Sequence, residues 1–183
     1  YIQKSTEGFD SFAFGLSTDK LAPADYDGDG RTDHAVFRNG SWFIQRSADG
    51  FLSVILGASG DIPVPGDFTG DGKAELAVFR PSTGIWQTLD LTNNQSNSVS
   101  FGLSSDEPVP ADFDGDGKTD YAVYRPSNGY WYLLQSTNGF ASVQFGISTD
   151  KPVPADYDGD DKADIAVYRD GTWHLLRSGL GYT

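Results

Sequence analysis

Four nearly identical acidic loops punctuate the chain. They read Asp-Tyr-Asp-Gly-Asp-Gly-Arg-Thr-Asp from Asp25, Asp-Phe-Thr-Gly-Asp-Gly-Lys-Ala-Glu from Asp67, Asp-Phe-Asp-Gly-Asp-Gly-Lys-Thr-Asp from Asp112 and Asp-Tyr-Asp-Gly-Asp-Asp-Lys-Ala-Asp from Asp156. Oxygen-bearing side chains stand at loop positions 1, 3, 5 and 9, with glycines between them. Ca²⁺ is a hard cation that takes six to eight oxygen ligands, and a tightly folded loop of this kind supplies most of them. The expected side-chain ligands are Asp25, Asp27, Asp29 and Asp33; Asp67, Thr69, Asp71 and Glu75; Asp112, Asp114, Asp116 and Asp120; and Asp156, Asp158, Asp160 and Asp164. Carboxylates crowded this closely repel one another without a cation. The expectation is up to four Ca²⁺ per chain. An EF-hand is excluded, because it needs a bidentate Glu at loop position 12 between helices. Position 12 is Val36, Val78, Val123 and Val167.

The net charge of -13 belongs largely to these loops. Their acids, with Asp161, are 16 of the 26, and the other 10 face 13 Lys and Arg. Four Ca²⁺ would bring the total to about -13 + 8 = -5. This acidity argues for metal and against nucleic acid. The 183 residues contain no Cys and no Met, so metal takes the place of disulfides as a staple. Loops of modest affinity fill where calcium is millimolar, which points to an extracellular or cell-surface protein. No apolar run approaches the roughly 18 residues of a membrane helix. No signal peptide and no initiator Met are present, so the chain reads as a mature fragment or a piece of a longer protein.

The loops start 42, 45 and 44 residues apart, a period of repeat architectures. The third copy shows what must position them. Val109–Phe113 reads as a short strand before the loop, shortened because Pro108 is disfavoured in mid-strand. Tyr121–Arg125 alternates after it. Tyr130–Gln135 is rich in aromatic and β-compatible residues, and Ala141–Phe145 follows an Asn138-Gly139 turn. Between strands two and three, Asn39-Gly40 and Asp170-Gly171 are type I′ hairpin dipeptides, while the middle copies use Pro81–Gly84 and Pro126–Gly129. No segment carries a helical apolar period. Four antiparallel strands in about 44 residues make one blade of an all-β propeller.

The expected organisation is one repeat domain over 1–183. Residues 1–15 supply strands three and four of a partial blade, with Tyr1–Ser5 as strand three and Phe9–Gly15 as strand four. Repeats follow at 16–57, 58–102, 103–146 and 147–183, the last without its outer strand. The blades form a closed ring or an arc of a larger propeller. The Phe9–Gly15 strand is expected to pair with Trp173–Arg177, within one chain or between chains.

The run Asp112–Trp131, preceded by Phe101-Gly102, resembles the FG-GAP and VCBS-type calcium-binding repeats of bacterial extracellular proteins, related to those of integrin α-subunits and fungal propeller lectins. The resemblance covers essentially the whole chain. It implies a calcium-loaded propeller for adhesion, recognition or display, and no enzyme. It also implies that Arg31, Lys73, Lys118 and Lys162, at position 7, ligate through their backbone carbonyls with the side-chain charge turned to solvent. Thr69, Glu75, Asp161 and Leu56 depart from the pattern, which sets loops two and four apart.

The metal is expected to be structural, since its binding energy becomes folding energy. Trp42, Trp86, Trp131 and Trp173 recur once per repeat, a core between blades rather than a sugar-stacking stripe. Arg38, Arg80, Arg125 and Arg169 also recur, either stacked on the tryptophans or linked to a loop carboxylate. His34 and His174 occupy different repeat phases, and neither has a nucleophile partner. The expected partners are a protein or glycan ligand at the cell surface, with self-association through terminal strands as a further possibility. A lectin with aromatic pockets between blades and a head-to-tail structural unit are the two alternatives to a general recognition module.

Overall fold

The computed structural model of the chain describes residues 2–4 and 8–179. Its described residues hold only strands and turns, with no α-helix. A short hairpin comes first, β1 (Ile2–Lys4) against β2 (Gly8–Asp10). Blade 1 is β3 (Lys20–Leu21), β4 (His34–Arg38), β5 (Ser41–Arg46) and β6 (Gly50–Ile55). Blade 2 is β7 (Ile62–Pro63), β8 (Leu76–Arg80), β9 (Ile85–Leu89) and β10 (Ser96–Ser100). Blade 3 is β11 (Glu107–Pro108), β12 (Tyr121–Arg125), β13 (Tyr130–Gln135) and β14 (Gly139–Gln144). Blade 4 has β15 (Lys151–Pro152), β16 (Ile165–Arg169) and β17 (Thr172–Leu176). Within each blade, consecutive strands are antiparallel neighbours, the up-and-down order of a four-bladed β-propeller.

Strands two and three lie where the periodicity puts them, and the turns explain their registers. Asn39 and Gly40 have φ of 50° and 90°, and Asp170 and Gly171 have 47° and 86°, as a type I′ turn requires. A Cβ on Gly84 would lie 2.3 Å from the Gly102 carbonyl oxygen. Only glycine lets that turn touch the end of strand four.

Strand one differs from expectation. It is Glu107–Pro108 rather than Val109–Phe113, continued by Val109 N–H to the Ala122 carbonyl at 2.8 Å and by an isolated bridge from Ala111 to Asp120. Pro108 is tolerated because β11 is the edge strand of its sheet, where a missing donor costs no ladder bond. Strand four of blade 3 begins two residues early, at Gly139, and only alternate residues of it are shielded. The middle three residues of β12 are buried on both faces, because a blade is sandwiched between its neighbours.

The core is made between blades. One apolar cluster joins Tyr26, Phe37 and Trp42 to Leu76 and Val78, the next joins Phe79 and Trp86 to Val123, and the third joins Tyr124 and Trp131 to Ile165 and Val167. Trp42, Trp86 and Trp131 are fully buried. Their indole N–H groups donate to the carbonyls of Leu56, Phe101 and Phe145, at 3.1, 2.8 and 2.9 Å. Trp173 is different, with 54% of its surface exposed.

The recurring arginines pair with neither tryptophan nor loop carboxylate. Arg38, Arg80, Arg125 and Arg169 each grip Asp19, Asp61, Asp106 or Asp150 with Nε and Nη2, at 2.6 to 2.9 Å. Each aspartate lies 19 residues before its arginine and also accepts an N–H from the third residue before it, such as Leu103 for Asp106. The Arg169 hydrogen bond holds the Asp150 carboxyl below its ordinary range. Arg38 and Arg125 stack instead on Phe43 and Tyr132, the neighbours of the tryptophans in strand three.

Tyr1, Ser5 and the tail beyond Gly179 lie outside the described residues. Of the expected strand Phe9–Gly15, Phe9 and Asp10 are in β2, which pairs with β1 and not with β17. The β1–β2 register, Lys4 opposite Gly8, repeats that of Gln135 opposite Gly139.

Candidate metal centre

Each acidic loop joins strand one to strand two, and its glycines set its shape. In loop one the Asp25 carboxylate accepts N–H bonds from Gly28 and Gly30, at 2.7 and 2.8 Å. Asp29 accepts the Arg31 N–H at 2.9 Å. Asp33, almost fully buried, accepts N–H bonds from Tyr26 and Ser47 at 2.9 and 2.7 Å. Asp27 accepts N–H bonds from Ala48 and Asp49 with one oxygen. Its other oxygen, Oδ1, is buried with no hydrogen-bond partner, and the same holds for Asp114 and Asp158. In three loops out of four, then, the position 3 carboxylate aims a bare oxygen inward.

The gathered oxygens have the spacing of a coordination shell. Asp25, Asp27 and Asp29; Asp67, Asp71 and Glu75; Asp112, Asp114 and Asp120; and Asp156, Asp158 and Asp164 each bring oxygens within 4.8 Å of one another. Ligands at about 2.4 Å on opposite sides of Ca²⁺ stand about 4.8 Å apart. Asp33, Asp116 and Asp160 lie beside these groups. Asp116 and Asp160 each accept a serine hydroxyl, from Ser136 and Ser178.

Loop four keeps this geometry despite Asp161. That residue adopts φ of 65°, where Gly30, Gly72 and Gly117 have 81°, 84° and 83°, and its N–H still bonds Asp156 at 3.1 Å. Loop two is the one that changes. The Thr69 hydroxyl donates to Glu75 Oε1 at 3.2 Å, and Phe68 and Thr69 N–H groups donate to Oε2. It leaves no bare oxygen, because Thr69 stands where the others have Asp.

Serines that the loop motif does not include complete three of the sites. Ser47, Ser136 and Ser178 donate N–H to Asp33, Asp120 and Asp164, at 2.7, 2.8 and 2.6 Å. They stand one or two residues after strand three in Gln-Arg-Ser, Leu-Gln-Ser and Leu-Arg-Ser, a recurrence that sequence alone displays. Blade 2 has Leu91 there.

The loops also join blade to blade. The carbonyls of Asp25, Asp67 and Asp112 accept N–H bonds from Ala74, Thr119 and Ala163 of the next loop, at 2.7, 2.6 and 2.6 Å. The position 7 lysines do not simply face solvent. A Cβ on Gly28, Gly70 or Gly115 would come within 2.9 to 3.0 Å of the stem of Lys73, Lys118 or Lys162, so each stem lies across the preceding loop. Arg31 alone is exposed.

Burial raises three of the loop carboxyls, Asp158 among them. Desolvation pushes Glu75 to about 7 and Asp120 to about 6, with Asp67 adding to the first and Asp114 and Asp112 to the second. A folded-state value above the unfolded one stabilises at low pH and is lost as pH rises through it. Without calcium, Glu75 therefore destabilises the protein as pH climbs from about 4.5 to about 7. In chelator, Glu75→Gln is expected to raise the melting temperature by about 2–4 °C at pH 7.5 and to leave it unchanged at pH 4.5. Thermal melts at the two pH values decide this, and equal effects at both would refute it.

Residues 112–167 match the model of the FG-GAP-like repeat family. No curated protein matches the chain. Among solved structures, an Agrocybe aegerita lectin, described by its specific recognition of non-reducing terminal N-acetylglucosamine, superposes with a TM-score of 0.57 at 18% identity. The match covers 88% of this chain and 52% of that one, so the chain spans about half the length of the lectin. At this identity the likeness is one of fold.

Proposed function

We propose that this chain, a propeller of FG-GAP-type repeats, is an extracellular calcium-binding recognition module whose ions hold each blade together. The bare inward oxygens of Asp27, Asp114 and Asp158 carry this reading. A buried polar atom without a partner is costly, and a hard cation among carboxylates would satisfy it. Asp25, Asp27, Asp29 and Asp33, their counterparts in loops three and four, and the carbonyls of Arg31, Lys118 and Lys162 would hold the ions. Loop two would use Asp67, Thr69, Asp71, Glu75 and the Lys73 carbonyl, and more weakly. When bound, calcium neutralises the crowded charge and ties strand one, strand two and the turn after strand three into one unit.

The ligand of the module is a protein or a glycan. The lectin's fold supports the glycan arm of this reading, although Trp42, Trp86 and Trp131 have no exposed face to offer a sugar. A glycan array probed with the calcium-loaded protein separates the two arms. Calorimetric titration of chelator-stripped protein tests the metal. Up to four ions are expected, loop two filling last, and Asp114→Ala should remove one of the tight sites. No uptake at millimolar calcium would overturn the proposal.

A further inference from the structure

The repeat is its own control for what the fold requires. A tryptophan in strand three, an arginine in strand two and the acidic loop recur in every blade. The positions on either side of that tryptophan do not. Blade 3 has Tyr130 and Tyr132 there, where blade 2 has Ile85 and Gln87 and blade 4 has Thr172 and His174. The two tyrosines share one face of β13. That face turns to blade 2, because Tyr132 packs on the cluster of Phe79, Trp86 and Val123. Trp131 and Leu133, on the opposite face, pack towards blade 4. The tyrosine pair thus stands in the wedge between blades 2 and 3, both of them complete.

Both rings are fixed by their neighbours. They lie nearly parallel, 23° apart, with centroids at 5.8 Å. The Arg125 guanidinium sits over Tyr132 at 4.3 Å from the ring centre, and buried Asp106 holds that guanidinium at 2.7 and 2.9 Å. The Asn128 amide donates to the Tyr132 hydroxyl at 3.0 Å, and its Oδ1 accepts the Tyr130 N–H at 3.0 Å. Tyr132 is therefore engaged by Arg125, by Asn128 and by the other ring. Tyr130, half-buried, ends the stack. Across the sheet, Gln144 stands opposite Tyr130 and Ser142 opposite Tyr132, both exposed. Gln144 Nε2 reaches the Asn128 carbonyl at 3.5 Å, which leaves its Oε1 to accept.

We infer that Tyr130 is the stacking platform of a neutral-saccharide site in this wedge, with Gln144 and Ser142 as partners for the sugar's hydroxyls. The inference rests on the glycan arm of the function proposed above and gives it a place. A binding site of this kind joins an apolar surface to a few polar groups that fix orientation. The tyrosine ring offers the first to the C–H face of a sugar ring. An amide and a hydroxyl both donate and accept, as sugar hydroxyls do. The rings are already held in place, so little side-chain freedom remains to be lost on binding. The charge beside them is matched within the protein, Arg125 by Asp106, which suits an uncharged ligand. A proline-rich peptide also docks on aromatic side chains. Its prolines carry no N–H, so they would leave the Gln144 Oε1 unmatched. Because the tyrosine pair belongs to blade 3 alone, the expectation is one such site per chain and not one per blade.

The test is an array of neutral and sialylated glycans, with a second array of proline-rich peptides, probed with the protein in millimolar calcium. Binding to neutral glycans is expected. Tyr130→Ala should weaken the best of them about tenfold or more, as loss of an aromatic anchor does. Gln144→Ala should weaken it about threefold or more, the effect of one neutral hydrogen bond. Gln144 is exposed, so its variant keeps the test decisive should Tyr130→Ala melt early. Ile85→Ala, at the matching position of blade 2, should bind as the unaltered protein does. A neutral glycan bound equally well by Tyr130→Ala and Gln144→Ala overturns this site and leaves the glycan reading standing. Absence of any bound glycan overturns both. A preference for sialylated glycans, or a proline-rich peptide whose binding Tyr130→Ala abolishes, overturns the neutral sugar as occupant.

Discussion

Calcium at a hundred times its dissociation constant is expected to raise the unfolding free energy by about 2.7 kcal/mol for each occupied site. Loops one, three and four together would then contribute about 8 kcal/mol, comparable to the whole stability of an ordinary domain. Each of these loops leaves a position 3 oxygen bare and holds its position 1 carboxylate with two or three amides. A bound ion would therefore find its ligands oriented in advance, and would spend little of its binding energy on ordering them. Loop two, with Thr69 bonded to Glu75, should add least. Urea unfolding curves in chelator and in calcium measure the difference. Superimposable curves would refute a structural ion. Asp114→Ala should remove about a third of the gain, and Thr69→Asp should enlarge it.

The loops were legible because their chemistry is local. Oxygen side chains at four positions within nine residues are brought together by the loop itself, whatever the rest of the chain does. Strands two and three were legible for a similar reason, since a type I′ dipeptide such as Asn39-Gly40 sets the register on both sides of it. Strand one was misplaced because an edge strand lifts the penalty on Pro108, and whether a strand is an edge is a property of the assembled sheet.

What stayed hidden depends on contact between distant parts. The arginine partners Asp19, Asp61, Asp106 and Asp150 precede their arginines by 19 residues in all four blades. That constant offset is in the sequence, but the tryptophans and the loop carboxylates were the partners expected of these arginines. Ser47, Ser136 and Ser178 sit beyond strand three, and only the folded hairpin carries them back to Asp33, Asp120 and Asp164. The lysine stems across Gly28, Gly70 and Gly115 belong to the neighbouring blade. No motif confined to one repeat contains them.

Trp131→Ala is expected to destabilise the protein by about 3–5 kcal/mol, the cost of emptying a large buried aromatic site. The ring has no exposed surface and packs on Tyr124 and Phe113, with centroids 5.4 and 6.4 Å away. It also contributes to the cluster that receives Ile165 and Val167 from blade 4. Its loss opens a cavity at the joint between two blades and leaves the Phe145 carbonyl without its indole donor. Trp173→Ala removes the same side chain from the same repeat position, yet in dilute solution it should cost about 1 kcal/mol or less, because that ring is half in water. The difference between the two variants isolates what a following blade contributes, since sequence context is otherwise shared. Denaturant unfolding at low protein concentration measures both. Equal losses would mean that Trp173 is covered in solution, and an unaltered stability for Trp131→Ala would refute the inter-blade core.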